Sequence, residues 1–200
     1  MAAYSYYSQN YYGDAMAELT RFLRVYPNHK DIVYAEYLLG LCYYEQIVDE
    51  KKDLQSIVNA KKTFQCLISK YPDTEFATDA MFKINLIDEI LAAKEMYLGR
   101  YYVDRKKWIS AINRFRVVVD DYETTIYVEE ATHRLVEIYY ILGIETEAKK
   151  YANLLGYNYQ SSKWYEKSFS VFNKNYKKNK IKDIKKENNS ILKKFKSLFS

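Results

Sequence analysis

A tyrosine followed nine residues later by a small residue recurs along this chain, at Tyr26 and Ala35, Tyr71 and Ala80, Tyr122 and Ala131, and Tyr159 and Ser168. Eleven residues before each of these tyrosines stands an alanine: Ala15, Ala60, Ala111 and Ala148. An internal period of this kind constrains the fold more than any composition does. Each repeat is one supersecondary unit that cannot bury its apolar face alone, so the units must stack.

The windows around the alanines, "GDAMAELTRFLRVYP", "VNAKKTFQCLISKYP", "ISAINRFRVVVDDYE" and "TEAKKYANLLGYNYQ", all read as helices. One turn after each alanine, on the same face, come Leu19, Phe64, Phe115 and Ala152. The tyrosine closes each helix, and Pro27 and Pro72 stop two of them by fixing φ and removing an N–H. Upstream lies a first helix in each repeat, carrying Leu39-Gly40-Tyr43, Leu98-Gly99-Tyr102 or Leu135-Val136-Tyr139. Gly99 to Ala111 and Val136 to Ala148 are both twelve residues, as in the tetratricopeptide pattern, whereas Gly40 to Ala60 is twenty. The second repeat therefore carries an eight-residue insertion around "VDEKKDLQS". Gly40 and Gly99, inside helices, predict close approach of a second helix, while Gly13 and Gly143 are expected in the turns between paired helices.

The spacing between repeats is uneven. In the middle step no Gly or Pro precedes Gly99, so the stretch "EFATDAMFKINLIDEILAAKEMYLGRYYVDR" predicts one helix of about 28 residues. The expected fold is all-α, a tetratricopeptide-repeat right-handed superhelix of antiparallel helix pairs, with about four visible repeats and one long helix near residues 75–104. With 48% hydrophobic residues but only 5 Gly and 2 Pro, the chain has little material for a turn-rich β fold. Tyrosine is enriched, at 23 residues. First helices of tetratricopeptide arrays line a concave face, which would direct Tyr7, Tyr34, Tyr37, Tyr44 and Tyr140 into one groove beside Arg100, His133 and Glu137. The plainer alternative is that these rings pack between helices.

Charge is segregated. Residues 173–200 hold ten Lys against Asp183 and Glu187, a net of +8 in a chain of +5, so residues 1–172 carry −3. Residues 1–172 thus read as the repeat domain and 173–200 as a basic, Lys/Asn-rich tail, and a nucleic-acid partner for the repeats loses its support. Within the tail, Ile191, Leu192, Phe195, Leu198 and Phe199 recur at helical spacing opposite Lys193, Lys194 and Lys196. That pattern suits either a short amphipathic helix with an anionic membrane contact or a solvated, disordered extension.

The remaining residues show no catalytic constellation. His29 and His133 are the only histidines and have no partners at metal-ligand spacing; no phosphate-binding glycine loop occurs. Asp120-Asp121 and Glu129-Glu130 point to different helix faces and read as solvated surface. Cys42 and Cys66 read as buried packing thiols rather than a disulfide. The sequence argues against an enzyme, a cofactor or a metal site. Arg114 falls at the border of the buried face of its helix. With Asn113 beside it, it has the planar, bidentate chemistry of an interface contact, or of an intramolecular bridge to Asp120 or Asp121.

The segments "DAMAELTRFLRVYPNHKDIVYAEYLLGLCYY", "KTFQCLISKYPDTEFATDAMFKINLIDEILAAKEMYLGRYYVDRKKWISAINRFRVVVDDY" and "EAKKYANLLGYNYQSSKWY", in this order and with the oversized loop between the first two, resemble the BamD (YfiO) family of outer-membrane assembly lipoproteins over roughly residues 3–165. The resemblance implies a non-enzymatic scaffold of the β-barrel assembly machinery at the periplasmic face of the Gram-negative outer membrane. It implies binding to the POTRA domains of the barrel subunit, accessory lipoproteins and unfolded barrel substrates, with Asn113 and Arg114 at a position facing the barrel subunit. The chain opens on "MAAYSYYSQNYYGD", inside a first helix and without lipobox Cys, so the first repeat, signal and anchor are expected to be missing from it, as in a fragment or a gene with a displaced start. A tetratricopeptide adaptor unrelated to barrel assembly is the alternative.

Overall fold

The structure, a computed structural model, describes residues 2–47 and 55–172. The tail readings, and the centre of the inserted loop, lie outside the described residues. Those residues form nine helices and no strand: α1 (Ala2–Ser8), α2 (Tyr12–Val25), α3 (Ile32–Glu45), α4 (Gln55–Lys70), α5 (Glu75–Asp104), α6 (Trp108–Asp121), α7 (Val128–Ile141), α8 (Glu145–Asn158) and α9 (Lys163–Phe172). The expected pairs are α1 with α2, α3 with α4, α5 with α6 and α7 with α8, while α9 begins another repeat. The long helix spans 30 residues.

The period has a hydrogen-bonded cause at each end of the second helices. Every repeat tyrosine caps its helix, with the N–H of Tyr26, Tyr71, Tyr122 and Tyr159 donating to the carbonyls of Phe22, Leu67, Val118 and Leu155. Three residues on, the N–H groups of His29, Thr74, Thr125 and Ser162 return to the tyrosine carbonyls, turning the chain into the next first helix. There Ala35, Ala80, Ala131 and Ser168 are all buried.

At the turns between paired helices, Asn10, Lys106 and Gly143 take positive φ of 63°, 57° and 76°. Each is followed by the same two bonds, as in Tyr11 N–H to the Tyr6 carbonyl and Asn10 N–H to the Tyr7 carbonyl, which satisfies the last carbonyls of the first helix. Gly143 meets its expectation, but Gly13 does not. It lies in the first turn of α2, and Asn10, which also tolerates left-handed backbone, makes the turn.

Helix pairs close tightly where glycine was read as a contact. A Cβ on Gly40 would collide with the Phe64 ring, and one on Gly99 would come within 2.5 Å of Phe115 Cε1. Ala60, Phe64 and Leu67 share a core with Ile57, Ala80 and Ile87, and Ala15 and Leu19 share another with Ala35, Leu38 and Cys42. Both cysteines are free, but Cys66 is exposed, correcting the expectation that it packs. It precedes the buried Leu67 on α4 and so faces outward. Burial pushes the Cys42 thiol up to about 11.

The chain divides into two compact units, with the boundary inside α5 between Tyr97 and Leu98. Among the described residues no helix is long and apolar enough to cross a membrane.

Candidate functional site

The proposed groove residues are distributed over both units. In the first, Tyr37 extends from α3 between Phe76 of α5, at a ring distance of 5.2 Å, and Phe64, at 6.2 Å. Its hydroxyl donates to Asp79 at 2.5 Å. Burial, then this bond to a carboxylate, raises its phenol above the ordinary range. Tyr34 is exposed and rests on Phe76 at 5.7 Å, Tyr44 lies under the Lys83 ammonium at 5.0 Å, and Tyr7 packs at 5.8 Å from Tyr12. Tyr34 also lines a cleft of about 570 Å³ between α1, α2 and α3, floored by Leu19, Ala35 and Leu38 and rimmed by Tyr4, His29 and Asp31.

In the second unit, Arg100, His133 and Glu137 belong to one polar chain. Arg100 of α5 grips Glu130 of α7 with two bonds, of 3.1 and 2.7 Å. Arg134 lies 3.5 Å from the same carboxylate and donates to Glu137 at 2.9 Å. The Glu137 carboxylate stands 3.4 Å from His133 Nε2, and His133 Nδ1 shares a 2.8 Å hydrogen bond with the Ser168 hydroxyl of α9. Burial alone would raise both carboxyls, yet both are held below the usual glutamate range. Arg100 and Arg134 outweigh burial at Glu130, and His133 and Arg134 outweigh it at Glu137. Trp164 covers the imidazole at 5.3 Å, and Tyr140 meets Phe172 at 5.5 Å.

His133 is 3% exposed and Ser168 0%, so this His–Ser pair has no route to a substrate and acts as a clamp between α7 and α9. His133 is therefore enclosed rather than presented. Its pairing with Trp164 occupies the repeat position of Tyr37 with Phe76, so the two units solve the same contact with different rings. Among the described residues no group of three or more His, Cys, Asp or Glu is placed to hold a metal ion.

On α6, Asn113 is exposed and Arg114 half-buried, with an interaction of its own inside the chain. Asp120, one of the partners considered for Arg114, lies 3.5 Å from Arg116. Glu130, Arg134 and Trp164 were not singled out in the sequence. The spacing of Glu130, Arg134 and Glu137 on one helix face was the available signal for the first two. Nothing local pointed to Trp164.

Stacked helix pairs with closed polar clamps and open aromatic clefts define a helical-repeat protein of the tetratricopeptide class. Residues 1–155 match the YfiO outer membrane lipoprotein family, and the chain belongs to it. It is 44% identical over 176 residues to the outer membrane protein assembly factor BamD of Rickettsia prowazekii, covering 88% of this chain and 70% of that protein. Identity to the BamD protein of Caulobacter vibrioides is 38% over 175 residues, covering 88% of this chain and 57% of that protein. With the BamD protein of Neisseria meningitidis serogroup A it is 29% over 170 residues, covering 80% and 64%.

Proposed function

We propose that this chain is a non-enzymatic scaffold in outer membrane protein assembly, working at the periplasmic face of the outer membrane. The observation that carries the reading is family membership across 1–155, a stretch that takes in both irregularities of the array: the enlarged second repeat and the 30-residue α5. Its surfaces suit the role, since aromatic rings with polar tips give chain-binding area at low entropy cost.

On this reading α6 carries the contact to the POTRA region of the barrel subunit, with Arg114 and Asn113 at its centre, and the tyrosine-lined surfaces take unfolded barrel substrates. Arg114→Glu is expected to leave thermal unfolding within a few degrees of wild type and to abolish co-purification with the barrel subunit. A compensating acidic-to-basic change on that subunit should restore the complex. Undiminished co-purification of Arg114→Glu would remove Arg114 from the interface. A folded chain that never associates with the barrel subunit would favour an adaptor working elsewhere.

A further inference from the structure

Within the second unit the short turns α5–α6 and α7–α8 bring the C-termini of α5 and α7 and the N-termini of α6 and α8 to one end. That end gathers cations and exposed aliphatics. Arg105, Lys106 and Lys107 stand in sequence on the first turn, all exposed, with no ion pair among the described residues. The Arg105 guanidinium carbon lies over the Tyr101 ring, 3.7 Å from its centroid. Beside them Ile109 is 67% exposed, and on the neighbouring turn Ile141 is 60% and Ile144 42% exposed, with Leu142 also open. Asp104 adjoins the cations in sequence, and Glu145, which follows Ile144, is exposed and lies 3.4 Å from Lys149.

Lys106 adds an energetic argument. It holds φ of 57°, where the equivalent turns use Asn10 and Gly143. A β-carbon in that conformation is strained, and lysine offers no local hydrogen bond in return. The cation is kept at a position where backbone chemistry favours glycine.

We propose that this end of the second unit, presenting Arg105, Lys106, Lys107, Tyr101, Ile109, Ile141 and Ile144, docks on an anionic phospholipid surface. The aliphatic side chains enter the headgroup boundary, and the three cations meet lipid phosphates. Exposed aliphatics flanked by Lys and Arg on turn tips, with Tyr101 in the last turn of α5 and the half-buried Trp108 opening α6, form the pattern that interfacial insertion uses. A protein partner fits less well, because lysine is depleted at protein interfaces and hot spots favour enclosed pockets over convex tips. The inference rests on this geometry and stands apart from the assembly role.

Trp108 supplies a local probe. The chain has 2 Trp, so Trp164→Phe leaves Trp108 as the sole tryptophan, excited at the red edge where its 23 Tyr do not absorb, and Phe keeps a ring against His133. The full chain is mixed with vesicles of equimolar phosphatidylcholine and phosphatidylglycerol, a fraction of the lipid brominated on the acyl chain. Trp108 fluorescence should be quenched with these vesicles and not with phosphatidylcholine alone. At roughly 1 kcal/mol per basic residue, Lys106→Gly should raise the vesicle concentration for half-maximal quenching about fivefold. Replacing Arg105, Lys106 and Lys107 together should raise it about a hundredfold. Glycine suits the backbone at 106, so a role confined to the fold predicts a more stable protein with unchanged quenching, which would overturn the proposal. Vesicle binding without quenching of Trp108 would overturn it in favour of another lipid-binding segment. Absence of lipid binding, with loss of a protein partner in the triple variant, would assign these cations to an acidic protein surface.

Discussion

At the scale of single residues, helix pairing rests on complementary volumes at two positions per repeat. The small site of the first helix holds Ala3, Gly40, Gly99 and Val136, and the facing site of the second holds Leu19, Phe64, Phe115 and Ala152. Where the first side chain disappears the second grows into a ring, and where it becomes valine the other shrinks to alanine, as a close-packed interior demands. Gly99→Ala is therefore expected to destabilise by about 1–3 kcal/mol in urea melts through overpacking against Phe115, despite alanine's better helix propensity. Adding Phe115→Leu should recover part of that loss. A stabilised Gly99→Ala protein would mean that α5 and α6 have slack between them. Both glycines were legible as close contacts because an interior helical glycine needs a reason. The loss of that constraint at Val136 makes sense only beside Ala152.

At the scale of elements, the second helices are amphipathic ridges whose register the sequence states directly. On α4 the buried set is Ile57, Ala60, Phe64 and Leu67, while Lys62 is exposed on the other face. Phe64→Ala should cost about 3–5 kcal/mol by opening a cavity, whereas Lys62→Ala should change stability by less than about 0.5 kcal/mol. Comparable small losses in both, by chemical denaturation, would contradict this register. First helices are less legible in the sequence. They touch second helices on one side and other first helices on another, so their polar residues divide between solvent and partners that spacing does not name. Tyr37, read as pointing into a groove, gives its hydroxyl to Asp79, 42 positions away, while Tyr34, one turn earlier, remains exposed.

At the scale of the whole molecule, acid stability should be governed by the polar chain of the second unit. Glu130 and Glu137 have folded-state pKa values lowered from the ordinary 4.5, so the unfolded chain takes up their protons first as pH falls. Their contribution is present above that ordinary value and lost as pH drops through the depressed folded values. The melting temperature should therefore hold from neutrality to about pH 5 and fall below it. Glu137→Gln should lower the neutral plateau and flatten the acid limb, as followed by circular dichroism across a pH series. A variant with an unchanged acid limb would show that Glu137 is solvated as it would be in the unfolded chain.

The sequence by itself determined the helical class, the pairing of helices, the register of the second helices and the long α5. Each follows from local chemistry repeated at fixed intervals: small residues where backbones approach, tyrosine caps, and left-handed turn residues five positions before each second-helix alanine at Ala15, Ala111 and Ala148. Tertiary structure alone decided which polar side chains meet. Arg100 finds Glu130 across 30 positions and His133 finds Ser168 across 35, and no period encodes such a partner, because a hydrogen bond between helices depends on side-chain reach and on what else is buried there. The same reason explains Ser168. Its place in the pattern asked only for a small residue, and the imidazole facing it makes a buried hydroxyl tolerable where the other repeats have alanine.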